Sequence, residues 1–211
     1  MDELTKLSNK YGCDKSDKRH RYTQIYDRYF NEYRHKNFNM LELGFGQGKS
    51  VKMWLEYFTK AKLFTVDIRD TLPDDKLIQK YVSEGRFEFI SADQTDKQTI
   101  LDRVGNIPFY MIIDDASHVA EHQQYTMSFL FPLVIPAGWY VIEDLKCKRN
   151  PQPHGGYEAE KTLKVLHDYN KNGFLNSRIL TFQEHRPFKQ IASIRVYDKV
   201  AFIKKKVKNE H

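Results

Sequence analysis

The feature that most constrains this chain is a repeated alternation of short apolar runs with amphipathic stretches. Residues 38–43 (FNMLEL), 62–67 (KLFTVD), 87–90 (FEFI), 109–114 (FYMIID) and 139–142 (WYVI) have the length and apolar density of buried strands. Between and after them, stretches near 50–58, 74–82, 96–104, 119–130 and 158–170 carry apolar positions at helical spacing. Such alternation predicts βαβ units, because neighbouring parallel strands need a crossover long enough to hold a helix. The expected fold is α/β: a doubly wound, mostly parallel sheet with helices on both faces. Near the C-terminus two β-rich runs, 191–197 and 200–204, are separated only by Asp198 and Lys199. That is a hairpin signal, which brings the sheet to seven strands and closes it on an antiparallel edge.

A length of 211 residues suits one domain, and no Pro/Gly/Ser linker or internal repeat divides it. The expected organisation is one unit over 1–211, with an N-terminal segment (1–36) of one or two helices packed outside the sheet and a basic tail (204–211). No run approaches 18 apolar residues, and the first ten residues lack the pattern of a secretory signal. Cys13 and Cys147 are the only cysteines, too few for a disulfide framework, so a cytoplasmic setting is expected. The net charge of +6 invites a nucleic-acid reading, but the tail alone, with four Lys against one Glu, contributes +3 of it. The remaining charges are interleaved, without the basic, aromatic-punctuated stripe that tracks a phosphate backbone.

Three motifs carry chemistry. The run Gly44-Phe-Gly-Gln-Gly48-Lys49-Ser50 has three residues where a phosphate loop needs four before its Gly-Lys pair, and its glycines do not follow G-x-G-x-x-G. It fits acidic-x-Gly-x-Gly-x-Gly, with Glu42 at the strand end. Gly44, Gly46 and Gly48 permit a tight turn and close approach to a ligand. Glu42 offers a carboxylate that repels phosphate and welcomes a cationic amino-acid tail. Asp67, at the end of the next strand, lies about 20 residues on, the spacing of a ribose-binding acid. Together these residues point to a nucleoside site. Second, His118-Val-Ala-Glu121-His122 matches the inverted zinc-protease pattern. It begins immediately after a strand end, however, and would leave the glycine loop and Asp67 without a purpose. Third, Asp114-Asp115 and Glu143-Asp144 each follow a strand, and the two strands are expected neighbours. Carboxylates converging on one sheet edge repel unless a cation or protons intervene, and oxygen ligation of this type suits Mg²⁺. A loop of Pro, Gly and charge over 146–157 follows the fifth strand, at the edge where ligands of such folds bind.

In these residues the chain resembles class I S-adenosylmethionine-dependent methyltransferases of Rossmann-like fold. It is most similar to the metal-dependent sugar O-methyltransferases of the macrocin and mycinamicin type and to those acting on rhamnosyl sugars. The resemblance runs nearly the whole length. It includes Lys10-Tyr-Gly-Cys-Asp-Lys15 with His20, Tyr22 and Tyr26, then Leu41-Glu-Leu-Gly-Phe-Gly, and Ala92-Asp-Gln94. It continues through Ile112-Ile-Asp-Asp-Ala-Ser-His118 and Tyr140-Val-Ile-Glu-Asp-Leu145 to the C-terminal hairpin.

The resemblance implies S-adenosylmethionine and Mg²⁺ (or a similar divalent cation) as cofactors, with Asp115, Glu143 and Asp144 as metal ligands and His118 as general base. Glu42 and Gly44 to Gly48 would hold the methionine portion, Asp67 the ribose hydroxyls, and Asp93 with Gln94 the adenine edge; Asp114 is placed with these cofactor contacts. The acceptor would be a sugar hydroxyl of a small molecule or glycan, with no membrane involved. A catechol-like or nucleic-acid O-methyltransferase, or a methyltransferase-like binding module without turnover, stays open as an alternative, as does a homo-oligomer. Ala116 stands where the family is expected to have Gly. The chain is also shorter than the macrolide enzymes, which puts a long substrate lid or oligomerising arm in doubt.

Overall fold

The five apolar runs form parallel strands: β1 (Asn39–Leu43), β2 (Lys62–Asp67), β3 (Phe87–Ser91), β4 (Phe109–Asp114) and β5 (Val134–Ile142). The hairpin supplies β6 (Ile191–Tyr197) and β7 (Val200–Lys205), which add antiparallel to β5, giving one seven-stranded sheet in the order β3-β2-β1-β4-β5-β7-β6. These relations come from a computed structural model, which describes residues 1–147 and 160–207. Positions 148–157 of the expected Pro/Gly loop and positions 208–211 of the basic tail lie outside the described residues.

The helices are α1 (Glu3–Tyr11), α2 (Thr23–Phe30), α3 (Lys49–Tyr57), α4 (Lys76–Ser83), α5 (Lys97–Val104), α6 (Ala120–Leu130), α7 (Thr162–Asn172) and the short α8 (Phe182–His185). Local chemistry sets several ends. Asp2 caps α1, accepting from the Thr5 N–H at 2.7 Å, and α1 stops at Gly12, whose φ of +63° suits a residue without Cβ. Asp75 and Asp96 cap α4 and α5 in the same way.

Because the central strands are buried on both faces, their side chains divide by parity between two cores. Met40, Met111, Ile113, Trp139 and Val141 face one core with α1 to α4; Leu41, Leu43, Ile112, Tyr140 and Ile142 face the other with α5 to α7. The N-terminal segment is less peripheral than expected. Tyr26 and Phe30 of α2 are fully buried against Trp54 of α3, Trp139 of β5 and Phe202 of β7. Truncating an aromatic at such a position typically costs ~3–5 kcal/mol. The other departure is β5, which begins at Val134 rather than near Trp139. Pro136 and Gly138 read as a break in the sequence, but the strand absorbs them through a register shift opposite β4, with Ala137 at φ +64°.

Candidate functional site

Strand order reverses between β1 and β4, since β1 leads outward to β2 and β3 while β4 leads to β5. Ligands of open α/β sheets bind in the crevice beyond the carboxyl ends at such a switch point. Here the register carries the pairing one residue past the strands: the Asp115 N–H donates to the Leu43 carbonyl at 3.0 Å, and the Glu143 N–H to the Asp114 carbonyl at 3.0 Å. The glycine loop and both acidic pairs therefore arrive at one edge. A cleft of about 750 Å³ opens there, of the size that holds a cofactor. Gly44 to Gln47, Asp67, Asp93, Asp115 and His118 are among its walls.

On the β2 side, the glycine loop folds onto Asp67. One Asp67 oxygen accepts from the N–H groups of Phe45 (2.7 Å) and Gly46 (3.3 Å), the other from the N–H and Nε of Arg69 (3.0 and 3.3 Å). Burial alone would raise this carboxyl, but the N–H groups of Arg69, Phe45 and Gly46 outweigh it and hold it below its ordinary value. Gly44, at φ +93°, has no room for a side chain: a Cβ would stand 2.3 Å from the Asp115 carbonyl oxygen. At Gly46, φ +52°, a Cβ would meet nothing within 4 Å, so the backbone there faces open space.

Glu42 is placed differently. By parity it lies with Met40 on the α1–α4 face, fully buried, accepting from Ser50 Oγ and Trp54 Nε1 of α3 at 3.0 Å each. It fastens the start of α3 from behind and is not among the cleft walls. Burial pushes its carboxyl up to about 7 against the pull of Lys15. Asp93 is exposed and accepts from the N–H and Oγ1 of Thr95, both at 2.7 Å. Gln94 turns inward. Its Oε1 accepts from the Ser117 N–H at 2.9 Å, and its Nε2 lies 3.5 Å from Asp114 and 3.4 Å from Thr126 Oγ1. Asp114 belongs to the α5–α7 face, fully buried. One of its oxygens has no hydrogen-bond partner, and burial, aided by the Asp115 charge, pushes it up to about 7.

On the β5 side, Asp115, His118 and Asp144 each offer a ligand atom within 4.8 Å of the others. His118 Nδ1 lies 4.0 Å from Asp115 and Nε2 3.8 Å from Asp144, and Nδ1, although buried, has no hydrogen-bond partner. His118 (φ +59°) and Asp144 (φ +54°) both hold left-handed backbone conformations, which for such residues cost of order 1–3 kcal/mol and gather at functional sites. Helix α6 starts only at Ala120, so His118 and His122 do not share a helix face as the zinc-protease pattern needs. His122 instead meets Ser117 Oγ at 3.0 Å.

Glu143 is buried beside this trio with both oxygens engaged: one accepts from Tyr26 OH at 2.6 Å, the other from Lys15 Nζ at 2.7 Å. The same ammonium contacts Asp115 and lies 4.0 Å from Glu42. Tyr22 OH donates to Asp144 at 2.7 Å. Lys15, which is fully buried, Tyr22 and Tyr26 belong to the segment that carries the family resemblance, but none of the three is given a role by the sequence. A lysine on a loop 100 and 128 positions from the two acids to which it donates leaves no local signal. Burial alone would depress its ammonium, but the charges of Asp115, Glu143 and Glu42 hold it well above its ordinary value. Burial, with the Asp115 charge beside it, raises the Glu143 carboxyl well above its ordinary value even against Lys15, so this pole gathers more acid than its one ammonium balances. With an unpartnered imidazole nitrogen and an O/N donor set, the residues fit a divalent cation.

Fold and cleft together define a class I S-adenosylmethionine-dependent methyltransferase fold. Comparison adds a likeness: the chain is similar to macrocin- and mycinamicin-type sugar O-methyltransferases. It is 29% identical to demethylmacrocin O-methyltransferase of Streptomyces fradiae over 99% of this chain and 54% of that protein. It is 36% identical to mycinamicin VI 2''-O-methyltransferase of Micromonospora griseorubida over 68% of this chain and 36% of that protein. In structure it matches the methyltransferase MycE of the mycinamycin pathway, solved with Mg, SAH and mycinamycin VI. The TM-score is 0.75 at 30% identity, over 99% of this chain and 56% of that one. The chain thus spans about half the length of these relatives that match it along nearly all of its own length. No protein-family model matches it.

Proposed function

We propose that the chain acts as one S-adenosylmethionine-dependent O-methyltransferase unit that methylates a sugar hydroxyl of a glycoside with the help of Mg²⁺. The observation that carries this reading is the meeting, at one sheet edge, of a glycine-loop cleft with the Asp115–His118–Asp144 group. The names of the relatives support the sugar acceptor and the MycE complex supports both cofactors.

In this reading Gly44 to Gly48 seat the methionine portion, Asp67 the ribose hydroxyls and Asp93 the adenine edge. Gln94 and Asp114 shape that wall from inside, and Glu42 braces the loop. Asp115 and Asp144 hold the cation, with Glu143 at the rear of the same pole. A cation bound there would supply the polarisation that lets a sugar hydroxyl give up its proton and become a nucleophile. His118 takes the hydroxyl proton at a ring nitrogen, a role worth typically ~10²–10⁴ in rate. Gly44, packed without a side chain against the Asp115 carbonyl, sets the methyl donor against the acceptor pole, and such positioning supplies much of the remaining acceleration. A cytoplasmic location is supported by two unpaired cysteines, and no helix among the described residues is long and apolar enough to cross a membrane.

The test is a labelled-methyl screen with Mg²⁺ against free and nucleotide-linked deoxysugars, rhamnosyl glycosides and catechols. We expect label on a sugar hydroxyl, lost in excess chelator while S-adenosylhomocysteine still binds. Transfer that persists in confirmed metal-free protein would remove the cation from the mechanism. Nucleoside binding without turnover on any acceptor would favour a binding module.

A further inference from the structure

We infer that Lys15, Tyr22 and Tyr26 form a positioning unit, delivered by the N-terminal segment, that holds the acid pole in shape for a divalent cation. The inference rests on the metal reading above and extends it to residues with no place in the cleft. Each of the three acids takes a hydrogen bond from this segment: Asp115 from Lys15, Glu143 from Lys15 and Tyr26 (2.7 and 2.6 Å), and Asp144 from Tyr22 (2.7 Å).

The partners lie 100 to 128 positions apart in sequence, so these contacts form only when α2 docks on the sheet. They also share a face. Glu143 follows Val141 in parity and therefore points, with Glu42, toward α1 to α4, where Lys15 and Tyr26 stand. Without these donors, three carboxylates on adjacent strand ends would repel and turn apart. Groups that aim metal ligands in this way typically change metal affinity 10–100-fold when removed.

A lysine whose work is structural looks different in this same chain. Lys205, also buried, donates to the carbonyl oxygens of Phe131, Pro132 and Val134 at 3.3, 2.9 and 2.6 Å, closing the end of α6 with no acid bonded to it among the described residues. Among the described residues, the Lys15 ammonium donates to Asp115 and Glu143 of the site. Nor does Lys15 stand among the cleft walls, so its loss should bear on the cation far more than on the nucleoside.

The experiment is Mn²⁺ titration, followed by electron paramagnetic resonance, of the wild-type chain and of Lys15→Met, Tyr22→Phe and Tyr26→Phe. Melting temperature and S-adenosylhomocysteine affinity are measured alongside. We expect Mn²⁺ affinity to fall ~10–100-fold in Lys15→Met and about tenfold in each Tyr→Phe variant, with nucleoside affinity within about threefold of wild type. In turnover the Tyr→Phe variants should need more Mg²⁺ and recover kcat when it saturates, a split that a loss of general stability would not produce. If Lys15→Met fails to fold, the two tyrosine variants, each missing one hydroxyl, decide the matter. Mn²⁺ affinity unchanged in both overturns the inference, as does tighter binding in a folded Lys15→Met, which would make Lys15 a competitor of the cation. A wild-type chain that takes up no Mn²⁺ overturns the metal reading itself and this inference with it.

Discussion

The two ends of the cleft are built on opposite plans. At the β2 end, Asp67 is held by N–H groups of residues 2 to 22 positions away, all in its own loop or the glycine loop beside it. At the β5 end, the donors to Asp115, Glu143 and Asp144 come from 100 to 128 positions away, on a segment packed across the face of β5 and β7. The first end is made of backbone dipoles and is partly open to solvent, whereas the second is made of buried charges. Backbone N–H groups stabilise a carboxylate at small cost, because the loop that carries them is already turned. Buried charges are costly to desolvate, and truncating one partner typically costs several kcal/mol. The comparison teaches that the nucleoside end should tolerate substitution gently, while the acid end should respond steeply.

The steepest response is expected at His118. His118→Ala should leave S-adenosylhomocysteine binding intact and lower kcat by ~10²–10⁴. Steady-state kinetics with a parallel Mn²⁺ titration sharpen the contrast. If metal uptake is lost together with kcat, His118 is a ligand in the Asp115–Asp144 group and not the base.

Next is a change of charge deep behind the loop. Folding raises the Glu42 carboxyl from its ordinary 4.5 to about 7, so the folded state holds this proton more tightly than the unfolded one. The stability this brings is complete below about pH 4.5 and is lost as pH climbs through 7. Glu42→Gln keeps an acceptor for Trp54 and carries no titrating proton. Chemical unfolding at pH 5 and pH 8 should show wild type losing of order 1–3 kcal/mol more than the variant across that interval. Equal pH slopes would mean that Lys15 keeps Glu42 ionised throughout.

The nucleoside end should give the smallest effects. Asp67→Ala should weaken S-adenosylhomocysteine binding by ~1–3 kcal/mol in calorimetry, through loss of its acceptor for the ligand and of the loop's own N–H partner. Arg69→Ala should change it by less than ~1 kcal/mol, since the guanidinium is partly exposed and such surface pairs are weak. An Arg69 effect as large as that of Asp67 would erase the asymmetry between the two ends.

Much of this architecture is legible in the one-dimensional pattern. The five apolar runs and the hairpin are strands because period and density of apolar residues reflect burial directly. The glycine loop and the two acidic pairs could be placed at one edge because residues that end neighbouring parallel strands must lie together. Less legible was the use of each carboxylate. Glu42 and Asp114 look like cleft residues by position, yet strand alternation turns them into opposite cores, where Trp54 and Gln94 receive them. The signal was present in the apolar neighbours: Met40 and Glu42 share a face, as do Ile112 and Asp114. The start of β5 was hidden by Pro136 and Gly138, and α8 by its four-residue length.

By itself the sequence determined the local and periodic features: which runs are strands, which stretches are helical, and that the glycine loop and both acidic pairs end at one sheet edge. These depend on neighbours within a few positions or on a repeat that one dimension displays. Only the tertiary structure decided which partners those acids take. The ammonium of Lys15 and the hydroxyls of Tyr22 and Tyr26 are brought to Asp115, Glu143 and Asp144 by the docking of an apolar helix face. That packing of Tyr26 and Phe30 on Trp54, Trp139 and Phe202 is non-directional and leaves no motif. The polar contacts it delivers are strongly directional, and they shape the site.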